Sequence, residues 1–263
     1  MITENCSPAV KNNIEGSCFT VSDVNNLKHK YNKTYKNNKL GTRKNGKKII
    51  EELGRRLSCS RESCITEKLG MGDRNFAPKM PRSWLKNESE WLSTPEFTDI
   101  FRKYEEANPD FLFLGPAASD YEYKMMDGQC EINDLCSLDV RRLPKRIKKI
   151  GVVFNLDKHN EPGSHWVSMY ISVKKKTVYY FDSAGSKILP SIYALYKQIH
   201  KQDSSYKYVD NYPFVHQYGN NECGMYSIFF LITMIYTEDY SLFTKRKWKD
   251  KTMNALRKKV FNR

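Results

Sequence analysis

The sequence predicts an α+β fold in which a mixed central β-sheet packs on a buried helix, with flanking helices and a helical N-terminal arm. Two observations predict this class. Apolar or alternating strand segments lie between residues 150 and 182, and an almost uninterrupted apolar run covers residues 224–236. With 263 residues, of which 40% are hydrophobic, the chain is large enough to fill a packed core.

The N-terminal region differs from the rest in charge. Residues 1–50 carry ten lysines and arginines against three acidic residues, within a chain of net charge +14. Short helices are predicted over residues 23–31 and 49–57. We therefore predict a basic helical arm over residues 1–83 and a core domain over residues 84–263. The basic cluster at 39–48 favours non-specific contact with nucleic acid, although such side chains often only solvate an exposed face.

The core is predicted to begin with a helix and a short strand. Thr94 can cap a helix with Pro95 in its first turn, and the apolar spacing continues to about Asn108. The segment Phe111-Leu-Phe-Leu114 is typical of a short buried strand. Trp84 and Trp91, just upstream, are expected to anchor the domain edge.

A β-hairpin is predicted in the middle of the core. A strand over residues 150–156 is followed by a turn, and then by alternating side chains over 166–173. The run Lys174-Lys-Lys-Thr177 is predicted to form the hairpin tip, and the chain returns over 178–182. Because antiparallel pairing places both ends of a hairpin together, His165 and Asp182 are predicted to be neighbours.

Helices and one strand complete the predicted core. A helix begins at Pro190 and a short strand covers residues 206–209. The apolar run 224–236 is typical of a central helix enclosed by the rest of the domain. The final segment, 245–263, is predicted to be a basic helix packed through Met253, Leu256 and Val260.

The cysteines are predicted to be free thiols. No export signal or membrane-spanning run is recognisable in the sequence, and disulfides rarely persist in reducing compartments. The pairs Cys59-x4-Cys64 and Cys130-x5-Cys136 lack the usual two-residue zinc spacing, so no metal and no cofactor is expected. The seven are Cys6, Cys18, Cys59, Cys64, Cys130, Cys136 and Cys223.

Four residues together indicate a thiol protease site. Cys223 heads the apolar helix, where a helix N-terminus and a nearby imidazole favour the thiolate. His165 can exchange protons with it, Asp182 can orient the imidazole, and Gln217 can donate to an oxyanion. Gly224 would allow close approach of substrate. Each residue alone has an ordinary structural explanation, whereas the set is predicted to be catalytic.

These motifs resemble the adenain and SUMO-specific protease superfamily, the clan CE cysteine proteases. The resemblance rests on His165-Trp166, on Tyr180-Phe-Asp-Ser-Ala-Gly185, and on Gln217 six residues before Cys223-Gly224. The superfamily order of His, Asp or Asn, Gln and Cys differs from papain-type enzymes, in which the cysteine comes first.

Within that superfamily the chain looks most similar to the polyprotein-processing proteases of large nucleocytoplasmic DNA viruses, such as that of African swine fever virus. The segments Trp91-Leu-Ser-Thr94 and Phe111-Leu-Phe-Leu-Gly-Pro116 carry this likeness. It implies cleavage after Gly-Gly, with Trp166 lining a narrow substrate tunnel. The African swine fever virus enzyme has Asn where this chain has Asp182, and either residue can orient the imidazole of the triad.

The expected function is therefore a cysteine endopeptidase that cleaves viral structural polyproteins at Gly-Gly sites during virion maturation. The resemblance implies a location in host cytoplasm, at viral assembly sites, and in the virion. Two alternatives stay open: a deconjugase that removes SUMO or ubiquitin-like proteins, and a catalytically idle module that binds nucleic acid through its charge. The sequence does not define the oligomeric state.

Overall fold

A mixed β-sheet organises the larger part of the protein in the computed structural model, which describes residues 1, 4–41, 45–126, 128–130 and 132–263. The strand order is β1-β2-β3-β4-β5; β1 and β5 pair in parallel with β2 and β4, and the central pairs are antiparallel. The predicted α+β class with a mixed sheet is thus confirmed. The strands are β1 (Phe111–Phe113), β2 (Lys149–Asn155), β3 (Trp166–Ser172), β4 (Thr177–Phe181) and β5 (Lys207–Val209).

Helices surround this sheet and also form the N-terminal region. The described residues form two compact units, residues 1–80 with 259–263, and residues 81–258. The domain boundary predicted between residues 83 and 84 stays a prediction. The α-helices are α1 (Val21–Thr34), α2 (Gly46–Arg56), α3 (Glu62–Lys68), α4 (Thr94–Ala107), α5 (Asn133–Cys136), α6 (Pro190–Gln202), α7 (Cys223–Thr237) and α8 (Asp250–Val260).

The unit of residues 1–80 and 259–263 has a hydrophobic core of its own. Helix α1 begins with a capping box between Thr20 and Asp23, and it buries Leu27 and Tyr31. Leu53 of α2 is fully buried as well. The two predicted helices of the arm are confirmed. Part of the predicted basic cluster, residues 42–44, lies outside the described residues.

The β3–β4 hairpin is confirmed with a small change in register. Ser172 pairs with Thr177 and Ser168 with Phe181, so Thr177 belongs to β4 and not to the tip. Every residue of β3 is buried, although its sequence alternates. Apolar residues of one face pack in the core, and on the other face Ser168 Oγ donates a hydrogen bond to Ser227 O of α7 at 3.5 Å. The alternating sequence of β3 therefore reflects two buried faces, one in the apolar core and one against α7.

Helix α7 is the predicted buried helix, and it packs directly on β3. It ends at Thr237 and is capped by Glu238, whose backbone adopts a left-handed conformation with φ +47°. The Glu238 carboxylate accepts hydrogen bonds from Ser172 Oγ at 2.7 Å and from Tyr170 Oη at 3.0 Å, both in β3. In the described part of the chain, neither α7 nor any other helix has the length and apolarity to cross a membrane.

Two predicted helix starts differ from the structure. The N-cap of α4 is Ser93 and not Thr94: Ser93 and Glu96 form a reciprocal capping box, and Pro95 lies in the first turn. The predicted C-terminal helix begins at Asp250, five residues after the predicted Lys245, because a 3₁₀ turn over Tyr240–Phe243 and a non-helical segment precede it.

The prediction of free thiols is wrong for all cysteines except Cys223. The remaining six form three disulfides, Cys6–Cys18, Cys59–Cys64 and Cys130–Cys136, with Cα–Cα distances of 5.1, 5.6 and 6.4 Å. These separations lie in the usual range for disulfides. The prediction relied on the redox compartment, and that reasoning takes no account of whether the fold brings the thiols together.

The disulfide pattern predicts a simple thiol count. The unreduced protein, denatured in guanidinium, should show one thiol reactive with a chromogenic disulfide reagent, from Cys223. Full reduction should raise the count to seven. A Cys223→Ala protein should show none before reduction. Seven reactive thiols in freshly purified, unreduced protein would contradict the pairing.

Candidate active site

The open end of the β3–β4 hairpin joins a histidine to a carboxylate. His165 immediately precedes β3 and Asp182 immediately follows β4, so antiparallel pairing brings them together. His165 Nε2 lies 2.7 Å from Asp182 Oδ1. The predicted proximity of these two residues is confirmed.

The Asp182 carboxylate is held by a tight turn. It is buried, and its Oδ1 also accepts a hydrogen bond from the Ala184 backbone N–H at 2.8 Å. Gly185 has φ +67°, and a Cβ there would lie 2.9 Å from the Phe214 carbonyl. Only glycine combines this backbone conformation with so close an approach. The turn geometry therefore explains why the Asp-Ser-Ala-Gly sequence ends in glycine.

The backbone of Asp182 is fixed from the other side by Asn211. This buried amide accepts from the Asp182 N–H at 2.9 Å and donates to the Asp182 carbonyl at 2.7 Å. It also donates to the Phe214 carbonyl at 2.8 Å. One side chain thus joins the turn after β4 to the segment that leads to Gln217.

Cys223 is the first residue of α7, and its side chain is 2% exposed. It is the free cysteine among the described residues. The first N–H groups of a helix lack intrahelical partners, and the helix dipole places partial positive charge there. Both effects stabilise a thiolate at this position.

The proton affinity of His165 reflects its two partners. Burial acts to lower the pKa of this imidazole, but hydrogen bonds with Asp182 and Cys223 act in the opposite direction and raise the pKa from 6.5 to about 10. The arrangement therefore favours an imidazolium between the carboxylate and the sulfur.

Gln217 is oriented by Ser183, the residue after Asp182. Ser183 Oγ donates to Gln217 Oε1 at 2.8 Å, and the Ser183 carbonyl accepts the Gln217 backbone N–H at 2.9 Å. Gln217 Nε2 donates one N–H to Gly219 O at 2.8 Å. Since an amide nitrogen carries two N–H groups, a second donor remains for another acceptor. Ser183 thus determines which end of the amide acts as the donor.

The loop between Gln217 and Cys223 is fastened by the buried His216 beside it and by the half-buried Asp250. His216 Nε2 donates to Phe243 O at 2.9 Å, and burial lowers the pKa of this imidazole below 6.5. Asp250 Oδ2 accepts the Gly219 N–H at 2.9 Å, and its Oδ1 accepts from Tyr226 Oη at 2.9 Å. These contacts fix the loop that leads to Cys223.

The two residues predicted to bind substrate lie close to α4. Trp166 is buried at the start of β3; its Nε1 donates to Leu92 O at 2.9 Å and its ring lies 4.8 Å from that of Phe97. A Cβ at Gly224 would come within 3.0 Å of Leu92 Cβ and 3.3 Å of the Phe97 ring. Glycine at 224 therefore allows close packing of α7. The substrate roles of both residues stay predictions.

Several residues of the site were not found from the sequence. Ser183 and Asn211 act through short polar contacts, and only the position of Ser183 beside Asp182 could have drawn attention to it. Trp91, predicted as an anchor, is 41% exposed, and its Nε1 donates to Asn221 Oδ1 at 2.8 Å in the loop before Cys223. Trp84 is buried, as an anchor should be.

The described residues contain no group of three or more His, Cys, Asp and Glu that could hold a metal ion. Nucleophilic attack on a carbonyl group can be supported by three groups of this site. They are the thiol at a helix N-terminus, the imidazole held by a carboxylate, and the amide donor beside the loop that precedes Cys223. The four predicted catalytic residues all belong to the ends and loops that meet at this edge of the sheet.

Comparison with known proteins supports this interpretation. Residues 141–263 match the profile of the Ulp1 protease family, C-terminal catalytic domain. The chain is 26% identical to a thiol protease of Acanthamoeba polyphaga mimivirus, over 97% of this chain and 92% of that protein. African swine fever virus proteins named cysteine protease or SUMO-1 cysteine protease are 26% identical over 42% of this chain and 43% of their own length.

The fold also has a solved counterpart. The crystal structure of an African swine fever virus protease superposes with a TM-score of 0.69, covering 99% of this chain and 96% of that chain at 18% sequence identity. At this identity the match describes the fold. It includes the N-terminal region that the family profile leaves out.

The half-buried His165 and the buried His216 should titrate at very different pH values. In NMR titrations of labelled histidine, His165 should stay protonated to about pH 10, whereas His216 should titrate below 6.5. Asp182→Asn removes the strongest influence that raises the pKa of His165, so the His165 transition should move to lower pH. The His216 transition is the internal control. A His165 transition near 6.5 in the unaltered protein would contradict an imidazolium stabilised by Asp182 and Cys223.

Proposed function

We propose that Cys223 is the nucleophile of a cysteine protease and that His165, Asp182 and Gln217 complete the catalytic group. The match of residues 141–263 to the Ulp1 protease family, and the similarity of the chain to viral thiol and cysteine proteases, support this proposal. One observation carries the proposal. His165 Nε2 lies 2.7 Å from Asp182 Oδ1, and interactions with both Asp182 and Cys223 raise the pKa of the imidazole, which is the connection that a thiol protease requires.

In the first step the Cys223 thiolate attacks the carbonyl carbon of the scissile peptide bond. A bond forms between sulfur and carbon, and the π electrons move to the carbonyl oxygen. The His165 imidazolium then gives its proton to the departing nitrogen as the carbon–nitrogen bond breaks, which leaves a thioester. Water, deprotonated by the now neutral imidazole, attacks the thioester carbon; the carbon–sulfur bond then breaks, which releases the carboxylic acid and returns Cys223 as the thiolate beside the His165 imidazolium. Asp182 keeps the imidazole in one orientation throughout.

The oxyanion formed in each step requires donors. The backbone N–H of Cys223 and the second N–H of the Gln217 amide are the proposed pair. Ser183 supports this assignment. Its hydroxyl donates a hydrogen bond to Oε1 of the amide, so the amide nitrogen points toward the loop that precedes Cys223. Loss of one such donor typically lowers turnover about 10²–10³-fold.

The proposed substrates are viral structural polyproteins with Gly-Gly cleavage sites, processed during virion maturation. The similarity to proteases of mimivirus and African swine fever virus supports a viral setting. Trp166 is the proposed wall of the substrate channel: its indole is fixed by Leu92 and Phe97, so a side chain near the scissile bond would meet a rigid surface. Glycine has no side chain to exclude.

The proposed place of action is the viral assembly site in the host cytoplasm, and later the virion. Exposed lysines of α1 and α2, among them Lys30, Lys33, Lys47 and Lys48, support non-specific contact of the basic arm with nucleic acid there. Binding of the full chain to duplex DNA should weaken with salt, and glutamine at these four positions should lower its affinity. Salt-independent binding, or none, would exclude this role.

Removal of a SUMO or ubiquitin-like protein from its target is the second candidate function. The name of one group of African swine fever virus relatives refers to SUMO-1, and that function would use the same catalytic group. The two functions differ in what surrounds the Gly-Gly pair. A processing protease accepts short peptides, whereas a deconjugase depends on the folded modifier.

Activity toward Gly-Gly reporter peptides should depend on the proposed nucleophile and base. Cys223→Ala and His165→Gln should lower kcat/KM by about 10³-fold or more. His200→Gln, which alters an exposed histidine of α6, is the matched control and should retain activity. A Cys223→Ala protein that still cleaves the peptides would refute the assignment. Efficient cleavage of SUMO or ubiquitin fusions without peptide cleavage would favour the deconjugase.

Ser183→Ala should impair turnover more than binding. The change leaves Gln217 Oε1 without its buried donor, so the amide loses its fixed orientation, and kcat should fall about fivefold to tenfold with little change in KM. Ser186→Ala removes an exposed hydroxyl from the same turn and is the control. The two variants are compared by steady-state kinetics and thermal unfolding. Equal kcat values for both would show that Ser183 does not orient the amide.

A further inference from the structure

A basic segment lies against the loop that carries Gln217 and Cys223. It runs from Lys245 to Lys251, between the 3₁₀ turn and the first turn of α8. Asp250 in this segment accepts the backbone N–H groups of Tyr218 at 3.2 Å and Gly219 at 2.9 Å. Lys247 Nζ lies 3.8 Å from the centre of the Tyr218 ring. The segment is therefore joined to the loop by several contacts.

The charge of this segment is not neutralised locally. Arg246, Lys247, Lys249 and Lys251 are exposed, and none of them forms an ion pair with a carboxylate of the described residues. Asp250, the acidic residue between them, is occupied by hydrogen bonds from two backbone amides and from the hydroxyl of a tyrosine. Four cationic groups thus face solvent beside the nucleophile loop.

Aromatic rings hold two of these cations in place. Lys247 lies on Tyr218, which is 74% exposed, and the Arg246 guanidinium lies 4.1 Å from the centre of the Trp248 ring. Trp248 is itself fixed: its Nε1 donates to Leu242 O at 2.9 Å, and its ring meets that of Phe229. Because these rings already contact cations, they are poorly placed to stack on nucleic-acid bases, and the surface is suited to carboxylates.

We propose that this surface, which we call the basic rim (Tyr218, Arg246, Lys247, Lys249 and Lys251), binds an acidic segment of the polypeptide substrate next to the scissile bond. The proposal rests on the proposed function. Gln217 precedes Tyr218 directly, so a polypeptide held at the oxyanion donors passes close to the rim. Acidic residues near the cleavage site then interact with the exposed cations and increase the rate of productive encounter.

Reporter peptides that differ only in charge test the proposal. Each contains the same Gly-Gly site, flanked on one side or the other by Glu-Asp-Glu or by Gln-Asn-Gln. On one of the two sides, an acidic flank should raise kcat/KM by about tenfold over the neutral flank at low ionic strength, since several exposed charge pairs each contribute modestly. The advantage should fall as salt approaches physiological concentration, where the Debye length is about 8 Å.

Two variants of the full chain locate the effect. Lys247→Gln, Lys249→Gln and Lys251→Gln together should bring the ratio of acidic to neutral kcat/KM close to one. Glutamate at the same three positions should reverse the preference, in favour of peptides with Lys-Arg-Lys flanks. The matched control replaces Lys174, Lys197 and Lys201, exposed lysines of the hairpin tip and α6, by glutamine and should keep the acidic preference.

The outcomes separate the two proposals. No thiol-dependent cleavage of any peptide would refute the proposed function itself. Cleavage with equal kcat/KM for acidic and neutral flanks would refute the rim while leaving that function intact. A third outcome would overturn the role of the rim toward acidic peptides and assign it to nucleic acid. In that outcome kcat/KM is the same for acidic and neutral flanks, and the rim variant, but not the control, loses binding to a single-stranded DNA oligonucleotide.

Discussion

The site depends on the hydrogen bond between His165 and the carboxylate of Asp182, and that bond in turn depends on the turn after β4. Gly185 permits the turn, Asn211 fixes its backbone, and Ser183 extends its influence to Gln217. The proposed base and the proposed oxyanion donor are thus positioned by consecutive residues of one turn. Burial of the carboxylate makes this arrangement rigid, because an unpaired buried charge would be costly.

Much of the fold could be predicted because its strongest signals are local. An apolar run long enough for a helix, and an alternating strand followed by a lysine-rich tip, defined α7 and the β3–β4 hairpin directly. Hairpin geometry then placed His165 beside Asp182 without any knowledge of the remaining structure. Residue spacing within one element, or across one tight turn, transfers from sequence to structure with little ambiguity.

The features that were missed depend on partners distant in sequence. Asn211 reaches the turn across 29 residues, and Asp250 fastens a loop 31 residues away, so no short motif contains either contact. The α4 cap was misassigned by one residue because Ser93 and Thr94 are both good caps, and only the reciprocal contact with Glu96 distinguishes them. Disulfide pairing likewise depends on the folded path. The roles of the site residues, the domain boundary and the cellular location remain predictions.

Because α7 is attached to β3 at both ends, neither element can gain or lose a residue without disturbing one of the attachments. The strand, with seven residues, and the helix, with fifteen, each span about 22–23 Å at ordinary rises per residue. His165 and Cys223 meet at one end of this pair, and Ser172 and Glu238 are joined at the other. Deleting one helix residue would rotate the remainder by about 100° and break one of the two junctions. Variation in chain length is therefore expected in the connecting loops, while the strand and the helix keep their residue counts.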